Sequence, residues 1–149
     1  MKTSGKALEF ATLGVILMVT PAFASDVEFR LITKCSPELA HYPSPYSDKE
    51  ILCVSSDVIM SDANIVKVKP GHTNYSSVVE FEFDDAAQRK VEKVTREHVG
   101  GQIALMSKGK LVTAAMISST ITGRILELNL PDEGRQSVLD VLQDRKLVK

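Results

Sequence analysis

A period-two alternation of apolar and polar residues recurs four times in this chain and sets the strongest limit on its fold. SDVEFRLI places Val27, Phe29 and Leu31 on one side and Glu28 and Arg30 on the other, and NIVKVK sets Val66 and Val68 against Lys67 and Lys69. SSVVEFEF sets Val79, Phe81 and Phe83 against Glu80 and Glu82, and GRILELNL sets Leu126, Leu128 and Leu130 against Glu127 and Asn129. Successive side chains of a strand point to opposite faces, so each run reads as a strand with one buried face. The segment PGHTNY, residues 70–75, is a turn signal between the second and third runs. If those two strands pair, the outward lysines face the outward glutamates, with the solvated face of a sheet as the plain reading of these charges.

Two segments follow a helical period instead. DDAAQRKVEKVTREHVGG opens with acids and closes with glycines, as the helix dipole and a left-handed C-terminal residue favour. Ala87, Val91, Val94 and His98 fall on one side of it. PDEGRQSVLDVLQDRKLVK begins with Pro131 and two acids and carries an apolar stripe of Val138, Val141 and Leu142, with Gly134 a small weakness in its first turn. Between the helices, QIALM and KLVTAA flank SKGK, which reads as a hairpin turning at Gly109. A phosphate-binding loop would run from strand to glycines to helix and need Ser or Thr after the lysine. Here Lys110 is followed by Leu111.

The first 24 residues have the order of a secretory signal peptide. Lys2 and Lys6 precede an apolar run from Phe10 to Thr20, and Ala22-Phe23-Ala24 offers a cleavage site before Ser25. Eleven apolar residues are too few for a membrane span, which takes about 20. The remaining 125 residues suit a single domain, with 16 basic and 18 acidic residues and a net charge of −2. That balance offers no electrostatic case for nucleic acid or an anionic membrane surface. A soluble periplasmic product, with no stable membrane insertion after cleavage, is the expectation.

Export bears on the two cysteines, Cys35 and Cys53, which are expected to form a disulfide. On the chain-entropy model a loop of this size contributes about 3 kcal/mol. The enclosed CSPELAHYPSPYSDKEILC has little periodicity and three prolines, and reads as a loop in need of the tie. A metal pair would want more neighbouring ligands than His41 alone. Tyr42, Tyr46 and His41 make this loop the first place to look for partner contact, against the plainer reading of a variable connector.

No catalytic set emerges. The histidines (His41, His72, His98) show no zinc spacing, the serines no G-x-S-x-G elbow, and the acidic pairs Asp84-Asp85 and Asp132-Glu133 sit where helices start. SSDVIMSDAN lacks the glycine and the oxygen spacing of a calcium loop. The expectation is a protein that is not an enzyme and takes no cofactor or metal.

From residue 57 onward the order of elements resembles the head subdomain of the large periplasmic domain of SecD, of the SecD/SecF protein-export family. The matching positions are Asp57, Ala63, Phe83, Thr95, Gly100, Ile103, Ala104, Gly109, Ile121, Gly123 and the helix after Pro131. Departures are Met106-Ser107-Lys108 in place of Leu-Asp before the turn glycine, Ala115 in place of a proline, and the lack of SecD's transmembrane helices. The resemblance implies an α+β fold, an antiparallel β-sheet with two main α-helices packed on one face, and a tendency toward protein contact. The expected organisation is a signal peptide (1–24), an N-terminal strand with a disulfide-tied loop (25–56) and a SecD-head-like domain (57–149), with 25–149 as one globular unit.

Function follows as a set of expectations. First is a non-enzymatic periplasmic protein-binding module contacting another envelope or secreted protein, with an immunity or inhibitor protein against a toxin or wall hydrolase as one form. The alternatives are a small-molecule or lipid binder, with LVTAAMI lining its groove, and an accessory factor in protein export. An enzymatic reading would rest on His98 alone.

Overall fold

A computed structural model describes residues 25–72 and 77–145. The expected signal peptide and the centre of the PGHTNY turn lie outside the described residues. The architecture is α+β, with eight antiparallel strands in two sheets and two helices. The five-stranded sheet has the order β2-β3-β1-β6-β7, formed by β1 (Val27–Thr33), β2 (Ala40–Ser44), β3 (Ser47–Ser61), β6 (Gln102–Ser107) and β7 (Lys110–Met116). The smaller sheet, β4-β5-β8, consists of β4 (Ile65–His72), β5 (Ser77–Phe83) and β8 (Ile125–Asn129). All four alternating runs are strands.

The inward residues of both sheets and both helices share one core. Val27 and Phe29 from the larger sheet meet Val79, Phe81 and Phe83 from the smaller, all at most 1% exposed. Phe29 and Phe81 touch edge to face, 5.4 Å between centroids at 83°. Such a pair contributes about 0.5–1.5 kcal/mol beyond its area. The β4–β5 register places Lys67 opposite Glu82 and Lys69 opposite Glu80, as the alternation requires. One position departs from it: Val66 is 49% exposed, and Ile65 joins Val68 in the core. A register shift between Ile65 and Lys67 is responsible, because an extra residue in one strand turns the side chains before it to the other face.

β3 is 15 residues long because its two halves serve different partners. Residues 47–54 pair with β2, and residues 53–61 pair with β1. The chain leaves β1, steps across β3 through residues 34–39, and continues as β2 on the far side. The stretch between the cysteines, expected to be an aperiodic loop, is therefore mostly a β-hairpin turning at Pro45-Tyr46. Its prolines hid it. Pro43 is tolerated because β2 is the outermost strand, where a missing N–H need not break a ladder. The Cys35–Cys53 disulfide lies where β3 changes partners and staples the crossing segment to it.

Beyond that point β3 bulges. The register jumps from Ile32–Val54 to Arg30–Val58, leaving residues 55–57 without a β1 partner. The Arg30 guanidinium fills the gap, donating to the carbonyls of Ser55 (3.2 Å) and Ser56 (2.9 Å) and pairing with Glu28. Backbone oxygens stranded by the bulge thus regain donors.

Helix α1 (Asp85–Glu97) is capped by Asp84, whose carboxylate accepts from the Ala87 amide at 2.8 Å. It buries Ala87, Val91 and Thr95, while His98, expected on the apolar side, is exposed at the C-terminal cap. Thr95 is fully buried. Its hydroxyl donates to the Val91 carbonyl at 2.8 Å and accepts from the Ile121 amide at 2.9 Å, fixing the segment that leads from one sheet to the other. Gly100, at φ +87°, ends the helical region, and the Gly100 amide donates to the Ile117 carbonyl. The β6–β7 turn is of the mirror-image type, Lys108 (φ 48°) and Gly109 (φ 75°) both having positive φ.

Helix α2 (Asp132–Asp144) buries Val138, Val141 and Leu142, as its stripe requires. Beyond its last turn, Arg145 reaches the buried Asp62 at 3.0 Å; Asp62 also accepts from the Asp26 amide. Asp62 opens a 3-10 turn (Asp62–Asn64) capped by Ser61, which accounts for the acidic run that superficially resembles a cation loop. Gly134 is a requirement of packing: a Cβ there would lie 2.4 Å from Val112 Cγ1 of β7.

Two stability predictions follow. Thr95→Val should destabilise by about 1–2 kcal/mol, since the half-buried Ile121 amide loses its acceptor, whereas Thr95→Ser should keep that bond and cost less. Urea unfolding of both variants checks this. Gly134→Ala should destabilise by about 1–3 kcal/mol through overpacking, although alanine favours helix by up to ~1 kcal/mol. Adding Val112→Ala should recover part of the loss in the same assay.

Candidate functional site

The outermost strands of the larger sheet, β2 and β7, curl toward each other. The Tyr46 hydroxyl shares a hydrogen bond with that of Thr113 on β7, closing the gap. Inside the curl lies a second small core of Val54, Ala104 and Met106, covered by Ile32, Leu111 and Tyr42. This places the contact candidates. Tyr42 is half-buried and packs on the second core. Tyr46 is 62% exposed, its ring on the surface and its hydroxyl engaged. His41 is exposed on the other side of the hairpin, directly across from Cys53. The three do not form one patch: Tyr42 faces inward while His41 faces outward.

A different surface is open. Between the end of β7 and β8, the outermost strands on this side of their respective sheets, runs a groove of about 210 Å3. Ile103, Ala115, Met116, Leu126 and Leu128 line it together with the polar Ser118, Ser119 and Glu127. Met116 is 71% exposed, and Ile125, on β8 beside the groove, is 50% exposed. The run LVTAAMI thus divides its work: Val112 and Ala114 are buried, and Ala115 to Ile117 line the groove. A wider cleft of about 380 Å3 lies between α1 and β3, floored by Leu31, Val58 and Val94 and rimmed by Lys90, Lys93 and Glu97. His98 and Asp57 border this cleft.

The sequence pointed to the hairpin and to LVTAAMI as a groove wall, but gave no sign that β8 forms the other wall. Strand order decides which edges stay open, and no local pattern encodes it. The exposed Met116, at the end of an otherwise buried run, was the available signal.

With this geometry in place, comparison with known proteins assigns the family. The family model of the SecDF P1 head subdomain matches residues 38–136, and the chain belongs to that family. The match begins inside the disulfide-tied stretch, consistent with the hairpin being integral to the larger sheet. One similar solved structure is that of SecDF, described as a membrane component that enhances protein export. Its TM-score is 0.59 at 17% identity, covering 79% of this chain and 60% of that one. A second, SecDF in a super-membrane-facing form, gives 0.56 at 18% identity, covering 76% of this chain and 17% of that one. At such identities the likeness is one of fold, and the chain spans only part of the proteins it resembles. No curated protein matches it in sequence. No helix among the described residues is long and apolar enough to cross a membrane.

The hairpin geometry carries a prediction. Tyr46→Phe should cost about 1 kcal/mol, because the hydroxyl of the buried Thr113 loses its partner. Amide hydrogen exchange should then quicken along β2 and β7 and stay unchanged in β4, β5 and β8.

Proposed function

We propose that this protein is a periplasmic protein-binding module that acts without covalent chemistry, as an accessory in protein export. In this role it holds an extended segment of a client chain in the groove between β7 and β8. One observation carries the reading: a groove of mixed lining, with apolar walls from Ala115, Leu126 and Leu128, lies between two strands that are each outermost in their sheets. Such an edge offers unpaired backbone donors and acceptors to an added strand, while the groove takes alternate apolar side chains. The family supports the export context, since a protein of similar fold is described as enhancing protein export.

The groove volume helps to separate the alternatives. Sites for small organic ligands usually hold about 300–1,000 Å3, so about 210 Å3 suits one or two side chains of a peptide better than a lipid. The immunity or inhibitor form of a binding role rests on size and a disulfide alone, and the family match favours export over it.

The test uses the purified protein and a reduced, alkylated polypeptide that cannot fold, with fluorescence anisotropy as readout. The unfolded chain should bind, and the same polypeptide in its folded state should not. Met116→Glu should weaken binding at least ~10-fold, equal to about 1.4 kcal/mol. Equal affinity for the folded and unfolded forms, or an unchanged affinity in the variant, would sink this reading.

A further inference from the structure

Where β3 changes partners, three potential metal ligands meet. His41 and Cys53 are direct cross-strand partners, so their side chains leave the same face of the hairpin. The segment crossing from β1 to β2 brings Cys35 onto that face, with its Cα 5.0 Å from that of Cys53. One ligand atom from each of Cys35, His41 and Cys53 lies within 4.8 Å of the other two. Cys35 and His41 are exposed and Cys53 is buried, so the cluster opens to solvent on one side.

We propose that reduction of the Cys35–Cys53 disulfide converts this cluster into a three-ligand site for a thiophilic d10 cation such as Zn2+. The metal then replaces the covalent staple at the crossing. Reduction by a dithiol needs no further reactant. A thiolate of the reductant attacks one sulfur of the disulfide, and its second thiol closes the reductant's own disulfide. The Cys35–Cys53 bond breaks, and two electrons and two protons remain on the two cysteines. Binding Zn2+ releases those thiol protons to solvent.

The geometry suits the ion. Zn–S bonds of about 2.3 Å and Zn–N bonds of about 2.0–2.1 Å in a tetrahedron place ligand atoms roughly 3.5–3.8 Å apart. The imidazole nitrogen lies no more than 4.8 Å from either sulfur, so it closes by at most about 1 Å, while the two sulfurs, bonded to each other before reduction, separate to about 3.8 Å to receive the ion. Rotation of the exposed Cys35 and His41 side chains about the buried Cys53 supplies most of that adjustment. The open side leaves the fourth position to water or another ligand, unlike the closed four-residue set of a purely structural zinc site. Thiolate and imidazole donors favour Zn2+ or Cu+ over the oxygen-seeking Mg2+ and Ca2+.

The test adds ZnCl2 to the purified protein with and without prior reduction by a water-soluble phosphine, which takes oxygen from water as it reduces and competes little for metal. Competition with a chromophoric chelator reads the affinity. The reduced protein should bind one Zn2+ per chain at least ~100-fold more tightly than the oxidised protein. Oxidised His41→Ala keeps its disulfide, so its fold can be verified before reduction. Once reduced it should bind at least ~10-fold more weakly than the unaltered chain. Cd2+ in place of Zn2+ should give thiolate-to-metal charge-transfer absorption that Cys53→Ser abolishes. If reduction loosens the hairpin, Zn2+ should restore the near-ultraviolet circular dichroism. Equal affinity of oxidised and reduced forms, full affinity in His41→Ala, one metal shared between two chains, or no regain of a lost signal would each overturn the proposal.

Discussion

Neither sheet of this protein can exist alone. Three strands with one apolar face, or five strands curled at the edges, leave too much hydrocarbon in water. The contact between Phe29 of β1 and Phe81 of β5 joins them, and each residue lies on the central strand of its sheet. Val27, Val68, Val79 and Phe83 pack around the pair, and the helices seal the sides with Val91, Val138 and Leu142. Two buried polar side chains hold the segments that flank this junction. Thr95 fixes the passage from β7 to β8, and Asp62 ties the end of β3 to Asp26 just ahead of β1 and to Arg145 beyond α2.

Local order was largely legible from residue types. Alternation found β1, β4, β5 and β8, caps and apolar stripes found both helices, and SKGK found the β6–β7 hairpin. What escaped depends on partners distant in sequence. β2 lies in a proline-rich stretch whose strand character comes from pairing with β3, so no periodicity announces it. Val66 turns outward through a bulge that only the β4–β5 register defines. Gly134 looks like a flaw in a helix until β7 arrives against it. Thr95 looks like one more helical surface residue until the Ile121 amide needs an acceptor. Among the candidate site residues, Cys35 and Cys53 were found as a pair. Tyr42 and Tyr46, expected with His41 as partner-contact groups, make contacts within the protein: Tyr42 on the second core and the Tyr46 hydroxyl with Thr113.

The division of β3 between two partners explains why a disulfide belongs there. A crossing segment of six residues over a neighbouring strand has few hydrogen bonds of its own, and it carries Pro37. Fixing it to β3 at Cys53 positions Ala40 to begin β2 opposite Val54, and with that the hairpin that closes over the second core. The staple acts on the folded arrangement as well as on the entropy of the unfolded chain.

Open strand edges invite unwanted pairing, and the structure manages its edges unequally. β2 carries Pro43, and its turn reaches over to β7 through Tyr46, so these two edges protect each other along part of their length. β4 carries Lys67, Lys69 and Pro70, whose charges and missing N–H discourage a further strand. The end of β7 beside β8 carries no proline and a single charged residue, Glu127, in its groove, while Met116 and the neighbouring Ile125 are exposed. On the proposed reading, this less guarded edge is where an added strand would pair. The same edge chemistry that elsewhere risks aggregation suits transient capture of an extended chain, because backbone pairing depends little on the identity of the captured sequence.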